Sequence, residues 1–360
     1  MARTMITANR ALFAKLEAFA SLRGQAVSSP GARRYLEGDD ESDAELASLV
    51  VVSNVEFGLH RSLVHMMLND EHRIGLVGFD FAEVPLGFEE VAVSPGAFVA
   101  VITSTTTQPQ VSAGSVKNAV DVASMDDADY EGHDYETMQT LFPPIRMLRS
   151  FGDTDAASIE RTFLALCIDE CAINGSWVSS YFAEELKVMC ELDVPFMPYA
   201  ALCRSVFDLD PRTMYMALYR CIEATYAFEQ CRVLVEKLDL QISWTRLAQT
   251  LQDDLKWRPR ERSSLDVILR YAAQQDLTDL CTACGQEPGG DAAQSAGGVI
   301  YELRNRIVHF GADRKSVGVD EYDWNQVCAL LVRIVFHVFT TAFGHIATNA
   351  LTVKDQGGTS

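Results

Sequence analysis

The 360-residue sequence predicts a mixed architecture: an acidic α+β N-terminal domain followed by an all-α helical bundle. Three observations predict it. Runs rich in β-branched and aromatic residues, bounded by Gly, Pro and Asn, fall between residues 49 and 103 and read as strands. Beyond Pro143-Pro144, apolar residues recur every three or four positions, the helical period. Charge is uneven: residues 1–210 hold 14 Lys+Arg against 32 Asp+Glu, and residues 211–360 hold 16 against 18.

A chain of this length, 48% hydrophobic and 22% charged, has the composition of a folded protein with room for two cores. Its net charge of −20 repels nucleic acid, most strongly in the N-terminal part, so only the C-terminal part can approach a phosphate backbone without a large penalty. Nine cysteines in apolar, helix-like contexts suggest reduced thiols and a cytoplasmic location. The N-terminus does not read as a signal peptide, because Arg10–Phe19 is amphipathic. Val327–Ala347 is the most apolar stretch, but Arg333, His337 and His345 interrupt it, which fits a buried core helix and no membrane span.

In chain order, residues 5–22 read as an amphipathic helix, and the acidic stretch 28–45 as a mobile loop. Leu49–Phe57, Arg73–Phe81, Glu90–Val93 and Ala97–Thr103 read as strands, with a short helix over His60–Leu68. A second acidic loop, 121–136, carries seven carboxylates and no Lys or Arg. Two helices fill 156–192, and Pro195–Pro198 break the second. Asp210-Pro211 opens one long helix over 212–239, striped by Met214, Leu218, Cys221, Phe228, Cys231, Val235 and Leu238. Ser243 caps Trp244–Trp257, Pro259 stops it, and Ser263 or Ser264 starts another helix that reaches Ala273. A Gly-rich loop, Gly285–Gly298, precedes the helix that carries Arg304, and a last helix spans 322–350. The expected domains are 1–150, of unknown type and a sensing or regulatory role, a helical connector 151–210, the bundle 211–350, and a disordered tail 351–360.

The chemistry-bearing segment is Tyr301–Gly311, with Arg304-Asn305 and His309 near a helix end. A guanidinium neutralises charge building on a phosphate, and an imidazole moves protons near neutral pH, so the pair suffices to cut RNA without a metal. Five helical residues turn through about 500°, leaving the two side chains about 140° apart unless the helix ends near His309; Gly311 is a natural stop. The bland alternative makes Arg304 a surface ion-pair partner and His309 a helix-end residue favoured by the macrodipole. Lys256, Arg258, Arg260 and Arg262, around Trp257 and Pro259, read either as an RNA-contact strip or as a solvated turn. Cys281-x-x-Cys284 lacks the second ligand pair a structural zinc needs. His60, His65 and His72 lack an acidic partner at metalloprotease spacing, so no metal and no cofactor are expected.

A penultimate helix bearing Arg304-Asn305-x-x-x-His309 within a helical bundle resembles the HEPN family, as does Ala217–Glu223 with its Tyr219 and Glu223. The resemblance covers the last 140 or so residues. It implies a metal-independent RNA endonuclease in which a ribose 2′-hydroxyl attacks the adjacent phosphate, giving 2′,3′-cyclic phosphate and 5′-hydroxyl ends. His309 would serve as general base or acid, Arg304 would stabilise the transition state, and Asn305 would orient the imidazole or bind the phosphate. It further implies a homodimer, RNA (tRNA or mRNA) as target, and a toxin or phage-defence role under a regulatory protein partner or phage trigger. Some members of the family bind nucleotides or proteins without cutting, and that non-catalytic scaffold is the alternative.

Overall fold

The first helix, α1 (Met5–Ser21), buries Leu12, Phe13, Leu16 and Phe19 in the core of the N-terminal unit. This is a computed structural model, and it describes residues 5–344 except 81–82, 123, 125–129, 152–153, 193, 195–196 and 310–316. The chain divides into two compact units, 1–155 and 156–360.

In the first unit, α2 (Asp40–Ser48) starts where the sequence reads as loop. Asp39 caps it by accepting from the Ser42 amide, three acidic residues occupy its first turn, and Leu46 is buried. Then follow β1 (Val50–Glu56), β2 (Ser62–Leu68), β3 (Glu71–Val77) and β4 (Phe88–Val91). The helix expected over His60–Leu68 is therefore the strand β2. It pairs on both sides, and six of its seven residues are buried, so the alternation that marks a strand is lost.

The strand expected over Ala97–Thr103 is the helix α3 (Pro95–Ser104). Ser94 caps it, Pro95 suits its first turn, and residues 97–102 are buried on all sides, so no helical period shows. Its Gly96 is required, since a Cβ there would overlap the Ser42 carbonyl oxygen of α2. α4 (Ala113–Val120) and α5 (Tyr135–Gln139) follow. Next comes β5 (Ile145–Ser150), a strand the sequence reading placed in the helical part. It inserts between β3 and β4, giving the antiparallel order β1-β2-β3-β5-β4, and Arg146 and Arg149 pair across to Glu90 and Glu89. The core packs α1, α3 and α4 against the sheet face that carries Val64, Met66, Leu68 and Met147.

The second unit is helical: α6 (Ala156–Asn174), α7 (Ser180–Lys187), α8 (Tyr199–Phe207), α9 (Arg212–Glu223), α10 (Phe228–Lys237), α11 (Trp244–Leu255), α12 (Glu261–Ile268), α13 (Gln274–Ala283), α14 (Ala292–Val308) and α15 (Trp324–Phe343). Residues 156–207, expected as a connector, pack within this unit, α6 on α8 and α8 on α9. α15 runs against α7, α9 and α13. It is the one helix among the described residues long and apolar enough to cross a membrane, yet 61% of that window is buried in the protein, as in a core helix.

The long helix expected over 212–239 is two helices. After Glu223 the chain turns, the Thr225 hydroxyl donates to the Ile222 carbonyl, and Tyr226 swings inward. α13 fills a stretch that carried no expectation beyond Ala273, and α14 begins at Ala292, inside the expected Gly-rich loop. Asp291 caps α14 by accepting from the Gln294 amide. The tail 351–360, the Gly311 stop, and part of the Pro195–Pro198 break and of the 121–136 acidic loop lie outside the described residues.

Candidate functional site

α14 buries Ala293, Ala296, Val299, Ile300 and Leu303 as one stripe, and the Tyr215 hydroxyl of α9 donates to the Ile300 carbonyl at 2.8 Å. Arg304 follows Leu303 and so lies at the stripe's edge, its side chain 21% exposed. Gly297, one turn into the stripe, gives α12 its close approach, because a Cβ there would overlap the Asp266 carboxylate.

The helix ends at Val308. His309 is extended (φ −99°, ψ 107°), and its backbone N–H closes on the Asn305 carbonyl. Leaving the helix at that point brings its ring back over Arg304, and Arg304 Nη1 lies 3.3 Å from His309 Nε2. A guanidinium only donates, so as a hydrogen bond this contact has Nε2 as its acceptor. The Asn305 amide oxygen accepts from the same Nη1 at 2.8 Å, so Asn305 steadies the guanidinium rather than the imidazole.

Three further side chains complete the surroundings. Glu261, the first residue of α12, sits with Oε1 3.6 Å from Arg304 Nε, too long for a hydrogen bond, and Nε is buried without one. The Tyr219 hydroxyl donates to Glu261, the Tyr226 hydroxyl donates to Tyr219 at 3.0 Å, and the Tyr219 ring centre lies 5.7 Å from the guanidinium carbon. Burial, reinforced by the bond to Glu261, pushes the Tyr219 ionisation far up, and burial does the same to Tyr226. Both phenols therefore remain donors at any ordinary pH. The break between α9 and α10 is what lets Tyr226 reach back to Tyr219.

No family model, no curated protein and no solved structure matches the chain.

Of the expected site residues, Arg304, Asn305 and His309 come together. The basic strip does not join them. Lys256, in left-handed conformation, ends α11 and donates to the Asp253 carbonyl at 2.8 Å; Arg258 and Arg260 are exposed and form no ion pair among the described residues, and Arg262 pairs with Asp266 at 3.3 Å and donates to the Gln294 carbonyl at 3.0 Å. Arg260 precedes Glu261, so the strip adjoins the site along the chain. Sequence reasoning missed Glu261 and Tyr226. The one signal for Glu261 was its charge next to Arg260, at the start of an apolar-periodic segment.

Cys281 and Cys284 are buried thiols whose ionisation burial pushes up, that of Cys284 to about 12. Cys167 and Cys171 pack in α6. Among the described residues no group of three His, Cys, Asp or Glu side chains could hold a metal. His65 is buried in β2 with Nε2 2.8 Å from His72 Nδ1 of β3, and burial, then His72, pushes its pKa down to about 4. His60 is exposed beside the Gln108 carbonyl.

Proposed function

We propose that residues 211–350 form a HEPN-type helical domain and that the Arg304–His309 site cleaves RNA without a metal. One observation carries this: the helix stops at Val308, so the imidazole meets the guanidinium instead of facing away from it. His309 Nε2, released from Arg304 Nη1 as the guanidinium turns to the phosphate, takes the proton from a ribose 2′-hydroxyl. O2′ bonds to phosphorus, the P–O5′ bond breaks, and the guanidinium stabilises the charge on the equatorial oxygens. The 5′-oxygen leaves as a hydroxyl once it is protonated, and the other product is a 2′,3′-cyclic phosphate. A homodimer would supply a second His309, which in its imidazolium form would give that proton.

The acidic excess supports a restrained enzyme. Residues 1–155 hold 11 Lys+Arg against 23 Asp+Glu, and residues 156–360 hold 19 against 27. Such a chain binds RNA poorly until a regulatory protein or phage trigger changes its exposure, which fits a cytoplasmic toxin or defence effector. The net charge of −20 equally suits the second reading, a nucleotide- or protein-binding scaffold. Expression in bacteria separates them. Arg304→Ala and His309→Ala should each relieve growth inhibition with the fold retained; a wild type that neither inhibits growth nor cuts RNA favours the scaffold.

A further inference from the structure

We infer that Glu261 sets which phosphate the Arg304 site accepts: the singly charged internal linkage of a strand, and not a doubly charged terminal phosphate. The inference rests on the phosphate-binding part of the reading above. A guanidinium has five N–H groups. Both hydrogens of Arg304 Nη1 are engaged, by Asn305 and His309, and Nε faces Glu261. Nη2 has no partner among the described residues, so an incoming phosphate oxygen meets that nitrogen. Glu261 then stands on the adjoining edge of the same guanidinium.

The carboxylate is not free to swing away. Tyr219 donates to it, Tyr226 donates to Tyr219, and both rings are buried. Glu261 also begins α12, which Gly297 admits close against α14. In this arrangement Arg304 and Glu261 cancel, leaving little attraction for a second negative charge. One extra charge about 6 Å from a half-screened carboxylate weakens binding on the order of tenfold. A nucleotide-binding scaffold needs the opposite preference, since its ligands end in multiply charged phosphates.

The test uses the full chain and two matched probes at pH 8, thymidine 5′-phosphate and its O-methyl ester. They share the nucleoside and differ by one charge, and neither can be cleaved by 2′-hydroxyl attack. Dissociation constants come from titrating the imidazole signals of His309 by NMR. The wild type should favour the ester. Glu261→Gln should move the ratio about tenfold toward the phosphate, Glu261→Asp should leave it close to wild type, and Arg304→Ala should lose both ligands. The inference is overturned if Glu261→Gln leaves the ratio in place, if the wild type prefers the dianion, or if it binds neither. RNA cleavage measured alongside keeps the two claims apart. A shifted ratio in a protein that cuts nothing upholds the charge filter and removes the nuclease; Arg304-dependent cutting with an unmoved ratio does the reverse.

Discussion

Arg304 and His309 stand five positions apart in the chain and 3.3 Å apart in space, because α14 gives way to extended backbone at His309. Asn305 shares the same guanidinium nitrogen at 2.8 Å.

Substitutions at these three positions should therefore rank. Arg304→Lys keeps the charge but loses the planar fork, so RNA cleavage should fall about 10²-fold or more, as it should for His309→Ala. Asn305→Ala removes one charge-assisted bond and should cost roughly tenfold. Single-turnover rates check the order. Asn305→Ala falling as far as His309→Ala would give Asn305 a direct part in the chemistry.

The hydroxyl chain Tyr226–Tyr219–Glu261 should behave as one unit. Tyr219→Phe leaves Glu261 without its donor and Tyr226 without its acceptor, so it should destabilise the second unit by about 1–2 kcal/mol. Tyr226→Phe should cost less, and the double substitution less than the sum. Urea midpoints measure all three, and strict additivity would show that the hydroxyls act separately.

Gly96→Ala forces α2 and α3 apart at the Ser42 carbonyl and should destabilise the first unit by about 1–3 kcal/mol. Hydrogen exchange localised to residues 40–104 reads this out, and protection equal to wild type would contradict the close approach.

The pH dependence of the first unit carries the mark of His65. Its folded pKa, about 4, lies below the value of about 6.5 for an unperturbed imidazole, so the unfolded chain binds the proton more readily. Stability from this group is complete above about pH 6.5 and is lost as pH falls toward 4, by about 2–3 kcal/mol. His65→Asn should flatten that part of the urea-unfolding profile relative to wild type. Parallel profiles would mean that His65 is not held neutral by the fold.

How far the sequence was legible depends on what each residue answers to. α1 and the Ser243 cap of α11 were readable because local pattern decides them. β2 and α3 were read the wrong way round: both are buried on every side, and periodicity vanishes where no face meets water. The break at residues 224–227 has no Gly or Pro to mark it, and what accompanies it is the hydrogen bond from Tyr226 back to Tyr219, seven positions earlier. Arg304 and His309 were found from their types and spacing. Glu261 was not, because its partner lies 43 positions downstream and only packing of α12 on α14 brings them together.

End-group chemistry tests the central claim most directly. Short RNA is incubated with the purified protein in chelator, and the fragments are weighed by mass spectrometry. The account predicts 2′,3′-cyclic phosphate and 5′-hydroxyl ends from the wild type and intact RNA from Arg304→Ala and His309→Ala. Fragments with 3′-hydroxyl and 5′-phosphate ends, or cutting that survives loss of the imidazole, would contradict it.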